Sequence, residues 1–156
     1  MLRNTALLIL ASLAVPAFAQ ADDALQAAYR LAGAGASELA LKRVEDLQPS
    51  KHGDTRWVDW EVLRLNLLAQ LGRHGEILAR VEKLPSDVPV HVMRRALFLG
   101  GQAALTAGNP PLARRHLARL LWQFGTLDEE YRLARQLTIE SYLAEGKARE
   151  AYLVML

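Results

Sequence analysis

The chain has no cysteine among its 156 residues. That excludes a disulfide framework and a thiolate metal site, and it excludes a lipoprotein signal, which needs a cysteine at its cut. Charge of one sign is scarce too: 19 Lys and Arg stand against 17 Asp and Glu, a formal net charge of +2. Removing residues 1–19 takes away Arg3 and no acid. A nucleic-acid binder concentrates basic charge on one face, so none is implied as a partner. Aromatics make up only 6% of the chain. Runs of β-branched residues are few, while Ala, Leu and Arg abound, which favours helix. The histidines, His52, His74, His91 and His116, never fall at metal-ligand spacing on one helix and read as isolated surface or rim residues. No Ser/His/Asp order and no paired carboxylate in an evident cleft suggests chemistry. The chain is therefore read as a non-enzyme with no cofactor and no metal.

A long apolar run is also lacking. The first segment is apolar from Thr5 to Val15 and then meets Pro16, whereas a spanning helix needs about 20 apolar residues. Met1-Leu2-Arg3 is a short basic start, and Ala17-Phe18-Ala19 is a small-x-small site. Together these predict a signal peptide over residues 1–19, cut before Gln20. The expected destination is the periplasm of a Gram-negative bacterium, with no transmembrane segment left after cleavage. Residues 20–156 are enough for one domain with a real core.

What is present is a repeat. Gly35, Gly72, Gly108 and Gly146 recur at spacings of 37, 36 and 38, each between two apolar helical stretches. A fixed period of that size marks stacked helix–turn–helix units. Five residues after each glycine stand Ala40, Ile77, Ala113 and Ala151; nine after stand Val44, Val81, Leu117 and Met155; twelve after stand Leu47, Leu84 and Leu120. Steps of four and three place each set on one helical stripe, which Phe124 extends in the third unit. The segments before the glycines read as helices over 22–34, 54–71, 88–107 and 127–145. Asn109 before Pro110-Pro111 is an N-cap with prolines in the first turn. Thr126-Leu127-Asp128-Glu129 matches a capping box, and Asp54 caps the second pair. Pro49 and Pro85 are stops. The expected fold is all-α, an α-solenoid of about four antiparallel hairpins (22–49, 54–85, 88–125, 127–156), the last incomplete.

On these residues the chain resembles the tetratricopeptide repeat family. Its turn glycine matches the four glycines, and its small residue early in the second helix matches Ala40, Ala113 and Ala151, with Ile77 departing. Its small residue in the first helix matches Ala28 and Gly101, with Leu65 and Ile139 departing. The alanine expected three residues after the late apolar position is leucine each time, and the closing prolines, Pro49 and Pro85, come early. The resemblance implies a concave binding surface lined by the first helix of each repeat. Carried over, that surface presents Tyr29, Val62, Asn66, Arg95, Phe98, Gln102, Gln136 and Glu140, with Asp59 at its rim. The clustered Lys/Asn pattern that clamps a terminal carboxylate in some members is lacking.

Other features are read blandly. Trp57 and Trp60, three apart on one helix, read as packing against the previous repeat, with a sugar-stacking platform as the alternative. Gly100-Gly101 inside a helix implies a close helix crossing. Arg94-Arg95 and Arg114-Arg115-Arg119 read as solvated faces, with binding of anionic lipid, polysaccharide or an acidic partner as the alternative, and Glu129-Glu130 as helix-start charge. The last unit stops mid-stripe at Tyr152-Leu153-Val154-Met155-Leu156. This implies either a longer repeat protein or an edge that docks a second copy or another protein. The functional expectation is an exported scaffold or adaptor that binds protein partners in the cell envelope. The alternative is the helical region of a larger envelope enzyme, or of a polysaccharide-export or outer-membrane protein, whose working domain lies beyond residue 156.

Overall fold

The computed structural model describes the backbone of residues 17–52, 55–125 and 128–156, with side chains from Asp23 onward except at Thr55 and Asp128. The described elements are α1 (Ala17–Gly33), α2 (Ser37–Leu47), α3 (Thr55–Gln70), α4 (His74–Lys83), α5 (Val90–Thr106), α6 (Pro110–Arg119), a π-helical turn (Leu120–Phe124), α7 (Asp128–Leu143) and α8 (Ala148–Met155). Among the described residues there is no strand. The protein is all-α. The helices before the glycines lie where periodicity predicts them, except that α1 starts at Ala17 rather than Asp22. Residues 1–16 of the expected signal, the Asp54 cap and the Thr126 hydroxyl of the expected capping box lie outside the described residues.

The four repeated glycines do the same thing each time. Gly35, Gly72, Gly108 and Gly146 all have positive φ, between 66° and 80°, a conformation open to glycine because it has no Cβ. The amide after each one reaches back five residues: Ala36 to the Leu31 carbonyl, Arg73 to Leu68, Asn109 to Ala104 and Lys147 to Tyr142, at 2.8–2.9 Å. The glycine amide itself bonds the carbonyl three residues back. This pairing satisfies carbonyls that a helix end leaves open. The following helix begins at once, with the amides of Ala40, Ile77, Ala113 and Ala151 closing its first turn. Those four side chains are buried, which is why the position five after each glycine is small or apolar. In the third unit the Asn109 side chain also accepts from the Leu112 amide at 3.2 Å, the predicted cap. Helices α2 and α4 end two residues before Pro49 and Pro85, as the clash of proline with a preceding helical residue requires.

Each helix packs on the next in sequence, and the odd-numbered helices also touch one another: α1 with α3, α3 with α5 and α5 with α7. One apolar core runs through these contacts. Trp57 and Trp60 are buried in it, so they pack rather than present a platform. Gly101 marks a close crossing of α5 and α6: a Cβ there would lie 2.7 Å from Leu117 Cγ and Cδ2. A Cβ on Gly100 would meet Val81 Cγ2 at 3.3 Å. The stripe fails in two places. Leu47 is 47% exposed because α2 ends there, and Met155, the last residue of α8, is exposed as well.

A polar network crosses α2, α3 and α4. Glu61 is wholly buried, yet it accepts from Gln48 Nε2 at 2.7 Å and from Arg80 Nε at 2.6 Å, with Arg80 Nη2 on its second oxygen. Gln48 Oε1 in turn accepts from Arg64 at 3.1 Å and Arg80 at 3.2 Å, and Arg64 reaches Glu45 at 3.3 Å. Nothing in the periodicity signals this cluster. Arg94 and Arg114 also depart from the solvated reading: they are mostly buried and pair with Glu130 and Glu145, respectively. A partly buried charge lowers its cost by finding a carboxylate on a neighbouring segment, Glu130 on α7 for Arg94 and Glu145 in the turn after α7 for Arg114.

Two outcomes follow for stability. Gly101→Ala is expected to lower thermal stability despite its helix-propensity gain of about 1 kcal/mol, because Leu117 must move. Gly100→Ala is expected to be nearly neutral in the same melt; equal effects would remove the case for a tight crossing at Gly101. Arg80→Met is expected to cost about 3–5 kcal/mol in denaturant unfolding by stranding the Glu61 carboxylate. Arg80→Met with Glu61→Leu should recover most of that loss.

Candidate functional site

The residues assigned to a binding surface all lie on α1, α3, α5 and α7, the helices that touch one another. Tyr29 on α1 and Asp59 on α3 are close enough to interact. Burial, and then the Asp59 charge, push the Tyr29 phenol up from its usual range. Asn66 and Arg95 meet directly, Arg95 Nε donating to Asn66 Oδ1 at 2.8 Å across α3 and α5. Burial lowers the Arg95 guanidinium below its usual range, opposed by the Glu130 carboxylate on α7. Arg95 and Phe98 then line a cleft of about 380 Å³ between α5 and α7, with Leu133 on its far wall and the Arg94–Glu130 pair beside it.

Other assigned residues stand apart from this group. Val62 is half-buried against the core. Gln102 is exposed, and its carbonyl accepts from the Thr106 hydroxyl at 3.0 Å. Gln136 and Glu140 bond each other at 2.9 Å one turn apart on α7. Gln136 lines a different cleft, of about 330 Å³, with Ile139 and Met155. The structure thus brings Arg95 and Phe98 into one polar-rimmed apolar depression, with Asn66 holding Arg95 from α3, sets Tyr29 near Asp59 on the neighbouring helices, and leaves Gln136 and Glu140 apart. The rim residues Arg94 and Glu130 were missed by sequence reasoning; their spacing of thirty-six, one repeat length, was the available signal.

The chain matches no family model, and no curated protein and no solved structure matches it significantly. Function therefore rests on the residues themselves. Among the described residues no group of three or more His, Cys, Asp or Glu could hold a metal ion. Among them, too, no helix is long and apolar enough to cross a membrane.

One histidine departs from its expected surface position. His116 on α6 is only 4% exposed and sits over Gly100. Neither ring nitrogen has a hydrogen-bond partner among the described residues. Burial, then the Arg115 and Arg119 charges, hold its pKa below the usual histidine value, with Glu82 opposing. Periodicity hid this, because position 116 adjoins the stripe residue Leu117 and a polar residue there reads as outward.

The folded state favours the neutral ring, so its stabilising effect is complete above the unfolded histidine pKa of about 6.5 and declines as pH falls below it. Stability measured by denaturant titration is expected to drop between pH 7 and pH 5. In His116→Phe, which needs no proton and no partner, that part of the slope should vanish. An unchanged slope would assign the acid sensitivity to other groups.

Proposed function

We propose that the protein is an exported helical scaffold that binds protein partners in a bacterial cell envelope. In this reading the four glycine-closed helix pairs stack side by side as a tetratricopeptide-like solenoid, and residues 1–19 direct export to a Gram-negative periplasm. The working surface is the face shared by α1, α3, α5 and α7.

The observation that carries the reading is the depression between α5 and α7. Phe98 and Leu133 supply apolar area, while Arg95, Arg94 and Glu130 supply hydrogen-bonding groups at its edge, Arg95 being held by Asn66 of α3. Apolar floors with a polar, arginine-bearing rim are how protein interfaces divide affinity from orientation. Repetition supports the rest. Four turns of one kind at nearly equal spacing support helices set in a row, and in this reading the row offers an extended surface rather than a closed pocket.

The test is capture from envelope extract with the chain beginning at Gln20, comparing the native protein with Asn66→Ala/Arg95→Ala/Gln102→Ala. A specific partner lost with the triple variant, while its circular dichroism stays native, is the expected result. Identical partner lists for both proteins would mean this face is an ordinary solvated surface.

A further inference from the structure

A second cleft, of about 440 Å³, opens where α6, the π-helical turn, α7 and α8 meet. Its most unusual wall is Trp122. Tryptophan is costly to leave in water, yet this one is 86% exposed, while Trp57 and Trp60 are buried. The π-helical turn is responsible: it buries Leu120, half-buries Phe124 and leaves Trp122 outside. π-helical turns recur at functional positions because they re-aim side chains at the cost of regular hydrogen bonding.

Opposite Trp122, α7 contributes Tyr131, Tyr142 and Arg135. The Arg135 guanidinium donates to the Val154 carbonyl from Nε at 3.0 Å and from Nη2 at 2.5 Å, and it stands 5.9 Å from the Tyr131 ring. Among the described residues it has no carboxylate partner. Arg114, by contrast, is neutralised by Glu145 and lies over the Tyr142 ring at 4.4 Å. No Asp or Glu lines the cleft among the described residues. Its one hydroxyl besides the tyrosines, on Thr138, is spent on the Ala134 carbonyl at 2.8 Å.

We propose that this cleft binds a protein segment bearing a large apolar side chain beside a carboxylate. The rings and the ends of α6 and α8 take the apolar group, and the uncompensated Arg135 charge takes the carboxylate. Trp, Tyr and Arg are the residue types that dominate interface energetics, and all three converge here. The volume is that of a specific pocket. A sugar stacked on these rings would still need side-chain acceptors for its hydroxyls, and no Asp or Glu lines the cleft among the described residues, which disfavours glycan. The proposal rests on the reading of the chain as a protein-binding scaffold, but it uses a different surface from the α1–α3–α5–α7 face.

The test uses the full chain and two short fluorescein-labelled amphipathic helical peptides. They share one leucine stripe, flanked by glutamate in one and by lysine in the other. Anisotropy titration is expected to show the glutamate peptide binding at least about fivefold more tightly than the lysine peptide. Arg135→Gln should abolish that preference. Trp122→Ala, an exposed position whose change leaves the core intact, should weaken binding about tenfold. Asn66→Ala/Arg95→Ala should change nothing. Equal binding of the two peptides, no binding, or an unaffected Trp122→Ala protein would overturn the proposal. Binding lost only in Asn66→Ala/Arg95→Ala would overturn it while leaving the scaffold reading intact. Sedimentation showing a dimer that Trp122→Ala dissociates would overturn it in favour of a second copy as occupant.

Discussion

A hydrogen bond that reaches five residues back across a left-handed glycine holds the whole arrangement. Helices α4, α6 and α8 are 10, 10 and 8 residues long, and isolated helices shorter than about 12–15 residues are marginal in water. They persist because each is turned onto the longer helix before it, where a buried residue five positions after the glycine locks its first turn. Without that reversal the apolar flanks of both partners would face solvent. Contacts between the odd-numbered helices, and so the surface they share, depend on the same turns.

Polar contacts then specify how neighbouring pairs sit. Arg80, Glu61, Gln48 and Arg64 join three helices through oriented bonds, and Arg94–Glu130 and Arg114–Glu145 tie later helices together. Apolar stripes alone would tolerate sliding by a turn, because one Leu resembles another. A buried carboxylate meeting a guanidinium tolerates no such slide, since the misaligned state leaves a charge unsatisfied in low dielectric. The missing Cβ of Gly101, against Leu117, sets the closest approach.

Two surfaces have the composition of interfaces, and they differ in character. The depression at Phe98 and Leu133 is rimmed by charges already paired with one another, so a ligand there competes with internal bonds. The cleft at Trp122 holds a cation whose partners among the described residues are a carbonyl oxygen and a ring, so it has charge to spare. That contrast suits the first to orientation along a shared face and the second to selection by charge.

Helix content, the positions of the turns and the buried faces were legible in the chain, because glycine spacing and apolar periodicity are local and each follows from the geometry of a single helix. Asn109, Pro49, Pro85 and the four glycines act within one turn of themselves, so no partner was needed to read them. The nine residues given to a binding surface lie on α1, α3, α5 and α7. Their grouping into Asn66–Arg95–Phe98, with Gln136 and Glu140 apart, was not legible, since it depends on how far one pair is displaced from the next. The burial of His116 and Glu61, the pairing of Arg94 and Arg114, and the outward aim of Trp122 were likewise decided in three dimensions. Each depends on an atom from a distant segment, or on a change in helical register, and periodicity along one helix contains neither.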